Sequence, residues 1–287
     1  MGMQKRWSTV RAALAVGLLA AGGALAQTAA APAASAGCVA FGPGEQSTYK
    51  VAYLGVTAGS TQVTVGAPTK FAGQEVWPIV SVAKSDPDLG VWPIKDKYVT
   101  YFHPVRQTVL GSDLFADENR KRRRQRVKLD DTGKSAVVVK QKEGEPPHES
   151  THELPPGTTD VAGATFALRN RPLKVGESYS YPVFTGSKSF TLAAHVEGRQ
   201  KIKTPLGLRD VVRVRVKTEF SGKLESKRDI VAFFSDDPFH VPLRIEADFV
   251  VGTMVAELTD YKQGRDLAAL GPMPGSTAPA SGGSGGR

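Results

Sequence analysis

Between Ser47 and Tyr261 the chain runs in period two, and that rhythm limits its fold more than any other feature. Along Ser47–Leu54 the residues Tyr49, Val51 and Tyr53 fall on one side. A turn over Gly55–Gly59 follows, and Ser60–Val65 alternates again, which predicts a β-hairpin. Glu75–Val82 is rich in β-formers and ends at the turn residues Ser85-Asp86-Pro87-Asp88. Lys97–His103 reads as a further strand. Arg126–Asp130 and Ser135–Lys140 flank Asp131-Thr132-Gly133-Lys134, a second hairpin with its turn at Thr132-Gly133. After Pro172 the predicted strands are Ser178–Phe184, Ser189–Val196, Val211–Lys217, Asp229–Phe234, Val241–Phe249 and Thr253–Tyr261. Turns are expected at Thr204–Gly207 and Ser235–Pro238. Strands that alternate in this way and follow one another through short turns form an antiparallel sheet with one wet face. Strands and helices do not alternate, which disfavours a doubly wound α/β fold.

Thr158–Arg169 breaks the rhythm. Thr159 or Asp160 can cap a helix, Val161, Ala164, Thr165 and Leu168 recur at helical spacing, and Pro172 ends it. An open sheet must hide its edges. The expected fold is therefore mainly β: a long curved antiparallel sheet forming a partly open barrel, with one central α-helix packed against it. If the sheet wraps, its apolar face becomes an interior. Tyr49, Tyr53, Trp77 and Phe102 are then candidates to line a site for a lipid or another apolar ligand. The same aromatics, with Trp92 and Tyr98, would equally serve as core.

The two ends have another character. Residues 1–26 read as a signal peptide: Lys5, Arg6 and Arg11, then the apolar run from Ala12, closing on Ala24-Leu25-Ala26. That run is shorter than the about 20 residues a spanning helix needs. Export to the periplasm is expected, with outer-membrane association left open and no transmembrane span after cleavage. Residues 27–40 form a small-residue flexible arm, 41–263 a single β-rich domain, and 264–287 a Gly/Ser/Pro tail. The single cysteine, Cys38, excludes an intramolecular disulfide. Ser35 stands where a lipobox carries leucine, so Cys38 reads as a free or intermolecularly paired thiol rather than a lipid anchor. The net charge is +9, and the leader supplies three of the basic residues and no acidic one. The mature chain is thus moderately basic. In an envelope compartment its natural anionic partners are membrane head groups or acidic glycans, not nucleic acid.

Two segments invite a chemical reading. His148-Glu149-Ser150-Thr151-His152 matches H-E-x-x-H, in which two histidines one helical turn apart bind zinc and the glutamate activates water. Pro146-Pro147 and Pro155-Pro156 leave little room for the helix that this chemistry needs, so the segment reads as a polar loop. A zinc-dependent hydrolase is the remote alternative. Arg120–Lys128 is densely basic, and in a strand Arg122, Arg124, Arg126 and Lys128 share one side opposite Gln125, Val127 and Leu129. This is a basic stripe, a candidate for anion binding. The pair Asp236-Asp237 precedes Pro238 and reads as turn chemistry. Asp160 and Arg169 read as an ion pair or a cap. His103, His195 and His240 lie in strand patterns without a nucleophile motif beside them. No catalytic residue, metal site or cofactor is assigned.

Several short motifs resemble one bacterial exported family, domain of unknown function 3108. They are Gly44-Glu45 with Tyr49–Tyr53, Gly55 and Ala58-Gly59, then Asp160 with Ala164–Arg169, then Leu173 with Val175–Glu177. Pro205–Gly207, Phe234–Asp237, Val241-Pro242 and Gly252–Leu258 continue the resemblance, which covers Phe41 to Lys262. It implies an exported β-rich domain and brings no catalytic residues. By looser analogy, envelope carriers of similar architecture hold acyl chains in a half-open barrel. The expected function is a non-enzymatic envelope protein that binds an apolar ligand inside the sheet. The alternative is an envelope scaffold docking on anionic surfaces through the basic stripe.

Overall fold

The computed structural model describes residues 40–86, 93–119, 121–130, 132–219, 230–248 and 252–264. The leader, Cys38, Trp92, half of the 85–88 turn and nearly all of the tail lie outside them, as do Arg120, Asp131, Asp229 and Phe249.

The described chain forms fifteen strands and one helix. The first half contains β1 (Gln46–Tyr53), β2 (Val56–Val65), β3 (Thr69–Phe71), β4 (Gln74–Ser85), β5 (Ile94–His103), β6 (Thr108–Glu118), β7 (Lys121–Leu129), β8 (Ser135–Lys142) and β9 (His148–Glu153). Helix α1 (Val161–Arg169) follows. The second half contains β10 (Ser178–Phe184), β11 (Ser189–Thr204), β12 (Gly207–Glu219), β13 (Ile230–Ser235), β14 (Pro242–Asp248) and β15 (Thr253–Lys262). All ladders are antiparallel, in the order β10-β11-β12-β13-β14-β15-β1-β2-β4-β5-β6-β7-β8-β9, with β3 paired to β4. The sheet therefore closes its long connection by placing the last strand beside the first. It does not close into a barrel, because β9 and β10 remain its two edges. These edges nevertheless approach each other. The Phe184 ring lies 5.1 Å from that of His152, and Thr159 bridges to Val183 just before α1.

Several expectations need correction. The first turn is tight, at Leu54-Gly55 with Gly55 at φ +79°, and β2 already begins at Val56. His148–Glu153 is not a loop but edge strand β9. Ala40 belongs to the core and not to an arm, and Gly264 is still packed, on the Gly42 backbone. His240 sits in a turn at φ +42°, not in a strand. Strands β3 and β6 complete the first half.

Helix α1 is capped as its sequence predicts: the Asp160 carboxylate accepts from the Gly163 N–H at 2.7 Å. Its buried face differs from the expected one, consisting of Ala164, Phe166, Ala167, Leu168 and Arg169. Phe166 packs into the cluster of Phe41, Ile79, Phe102 and Val127. Leu168 packs with Val196, Val212, Val214 and Phe234, and Ala164 with Val183 and Phe190. One helix thus joins three clusters drawn from both halves of the sheet. The close approach depends on Gly163, where a Cβ would collide with Thr159 and with Val109 of β6.

Candidate functional site

The interior is built around a charged pair. Arg169, 1% exposed, donates to both carboxylate oxygens of Glu45 at 2.6 and 3.1 Å. It also donates to the carbonyls of Phe239 and Ala40, and it lies over the rings of Phe41 and Phe166. Tyr261 donates to Glu45. Burial works against the arginine's charge, but Glu45 outweighs it and the guanidinium pKa is raised. Asp160 is not its partner. That carboxylate caps the helix and accepts from Tyr98 and Thr100 at 3.1 and 2.6 Å. Burial raises its pKa, and these hydrogen bonds pull it part of the way back. Arg169 and Asp160 are satisfied structural groups.

The four aromatics expected to line a ligand site do not converge. Trp77 and Phe102 meet around Phe41, at ring distances of 6.1 and 5.4 Å. Tyr49 lies in a separate cluster with Val211, Phe233 and Leu258, its hydroxyl donating to the Pro242 carbonyl. Tyr53 packs against a third cluster of Val51, Ile94 and Met254. One void between β6, β7 and the helix entry, lined by Val109, Val127, Leu129, Asp160 and Phe184, offers about 10 Å³. That is space for about one water molecule.

His148 and His152 lie on one face of β9, four residues apart in an extended strand, so their Cα atoms are separated by about 13 Å. Glu149 points to the other face. The His152 ring instead contacts Ser150 Oγ at 3.0 Å. Among the described residues no three His, Cys, Asp or Glu side chains converge as a metal site. Asp236 pairs with Arg199, and Asp237 accepts from Ser235 and from the Phe239 and His240 N–H groups, which is turn chemistry. His103 accepts from the Arg106 N–H, His195 contacts Ser178, and His240 contacts the Arg169 carbonyl.

The basic stripe is on the outer face. Arg122, Arg124, Arg126 and Lys128 of β7 are exposed, while Val127 and Leu129 are buried. Arg126 holds Asp113 of β6 through two bonds, 2.7 and 2.8 Å, and Arg122 reaches Asp117 and Glu143. Arg124 lies over the Phe115 ring at 5.7 Å. On the inner face Asp96 is buried, with Oδ1 accepting from the Asp117 N–H at 3.0 Å and Oδ2 lacking a hydrogen-bond partner. Burial first, and the neighbouring Glu118 second, push its carboxyl up to about 6.

With this geometry in place the relatives are informative. The chain belongs to the family described as protein of unknown function (DUF3108), which matches residues 48–259. No curated protein is detectably similar in sequence. A β-barrel-like protein of the unknown-function family DUF1849 from Brucella abortus superimposes with a TM-score of 0.51 at 11% identity, covering 76% of this chain and 97% of that one. That likeness shows a shared fold. An exported protein of YmcC-like fold, so assigned, from Bacteroides fragilis gives a TM-score of 0.31 at 9% identity over 79% of this chain and all of its own.

Proposed function

We propose that this chain is an exported cell-envelope protein that acts by docking on an anionic surface and not by catalysis. The leader-like start supports export. The carrying observation is β7, whose alternation puts Arg122, Arg124, Arg126 and Lys128 outside while its apolar residues enter the core. No set of side chains described above combines a nucleophile, a base and an open site. The void behind the helix entry, about 10 Å³, is far smaller than the about 300 Å³ that a small-molecule site needs.

The test is binding to vesicles of phosphatidylglycerol at low and high salt. The triple variant Arg122→Ser, Arg124→Ser, Arg126→Ser should lose the salt-sensitive part of binding; unchanged binding refutes the reading. Native mass spectrometry that finds a lipid retained in stoichiometric amount would move the function to the interior.

A further inference from the structure

The stripe on β7 is only part of the uncompensated charge on the outer face: Arg124 and Lys128 make no ion pair with a described residue, whereas the other two arginines do. Arg126 is bound by Asp113, and Arg122 shares Asp117 and Glu143. Further unpaired cations lie two and three strands away. Lys84 on β4 and Lys95 and Lys97 on β5 are exposed and make no ion pair with a described residue. The ladder places Lys84 directly opposite Lys95, and the neighbour of Lys95 on its other side is Asp117, which Arg122 already holds. Like charges in that position repel at short range and destabilise a sheet. A counter-charge from outside the protein would relieve the cost.

The next rung shows what kind of counter-charge fits. Lys97 stands opposite Phe115, and Phe115 stands opposite Arg124. Phe115 is 40% exposed on the wet face, with cations on both sides. Four neighbouring strands at about 4.8 Å spacing make this patch about 15 Å across. Lysine stems lying on a sheet, around a protruding aromatic ring, match a planar surface that is charged above and apolar below. A soluble polyanion would be held chiefly by the cations, whereas a bilayer also offers the ring an apolar layer.

We infer that Lys84, Lys95, Lys97 and Arg124, arranged around Phe115, form the contact site for the phosphate head groups of an anionic phospholipid bilayer, with the ring entering the interface. This rests on the docking reading and moves its centre from β7 to β4–β6. Anionic interfaces reward each nearby lysine about fivefold in affinity, and aromatic rings favour the interfacial layer.

The experiment is co-sedimentation of the purified, leader-processed protein with phosphatidylglycerol vesicles and with phosphatidylcholine vesicles, alongside retention on heparin. Lys95→Gln with Lys97→Gln should weaken phosphatidylglycerol binding on the order of twentyfold, about fivefold for each cation. Phe115→Ser should weaken vesicle binding severalfold and leave heparin retention unchanged. Arg126→Gln should cost less than the lysine pair. Lys84→Gln should raise the thermal midpoint of the free protein by relieving the repulsion. If the wild type binds phosphatidylglycerol but the lysine pair does not matter, this site is wrong and the docking reading stands. If Phe115→Ser lowers both binding assays equally, the bilayer is wrong and a polyanion is the partner. If the wild type ignores phosphatidylglycerol, both readings fall.

Discussion

Arg169 and Arg126 make nearly the same bond in opposite surroundings. Each grips one carboxylate through two nitrogens: Glu45 at 2.6 and 3.1 Å, Asp113 at 2.7 and 2.8 Å. Yet the Arg169 side chain is 1% exposed and that of Arg126 is 61% exposed. Water decides what each bond does. Inside, no solvent can replace a lost partner, so the pair behaves as a single structural unit that ties the end of α1 to the chain entry at Ala40–Glu45. Outside, Asp113 is itself buried, but water reaches the exposed Arg126 end, screens the pair and competes for the guanidinium. The interior arginine is committed to the fold at both ends, whereas the outer pair keeps its cationic end in water.

Mutagenesis can break this contrast. Arg169→Ala should cost about 3–5 kcal/mol, because Glu45 is left charged and buried; a urea midpoint close to wild type would show the interior pair to be dispensable. Replacing both partners by apolar residues, with Glu45→Leu and Arg169→Met, should recover much of that loss, since an apolar core of similar volume tolerates the exchange. Phe166→Ala should cost about 3 kcal/mol by opening a cavity beneath the same arginine, read from the same titration.

Asp96 sharpens the comparison from the acidic side. Its folded pKa of about 6 lies above the unfolded carboxylate value, so the folded state binds more protons between the two. Stability should therefore rise as pH falls through about 6 and level off near about 4. Asp96→Asn should stabilise the protein at pH 8 by about 1–2 kcal/mol and be neutral near pH 4. A constant difference across that range would show that the carboxyl titrates normally. The smallest effect belongs to Arg126→Gln, about 0.5–1 kcal/mol and reduced further by salt; a loss as large as that of Arg169→Ala would erase the distinction drawn between the two faces.

Legibility in the sequence followed burial. β10 has the expected limits and β13 to β15 lie within a residue of theirs, because each has one apolar side against the core, whereas β11 runs on from Val196 to Thr204 and β12 begins at Gly207, ahead of Val211, where the residues are largely polar. β9 escaped because HESTHE is polar on both sides: an edge strand carries its pairing in the backbone and needs no apolar face. β6 escaped for the opposite reason. Its residues from Val109 to Leu114 are all buried, including Ser112 and Asp113, so the two-residue rhythm is flat. The cap at Asp160 was readable because capping is local, whereas the Glu45–Arg169 pair spans 124 residues and no periodicity announces it. Gly44-Glu45 and Ala164–Arg169 both stood among the motifs of the resemblance, but nothing local joined them.

The order of residues alone determined a mainly β chain with one capped helix and a β7 whose cations face away from its apolar side, since strand, cap and turn preferences act over a few residues. Folding in three dimensions decided the rest. It packed Phe41, Phe102 and Phe166 into one cluster, paired a charge with another far along the chain, and set Lys84 against Lys95. Those outcomes depend on which strands become neighbours and on how much water remains between them, and both are properties of the whole sheet.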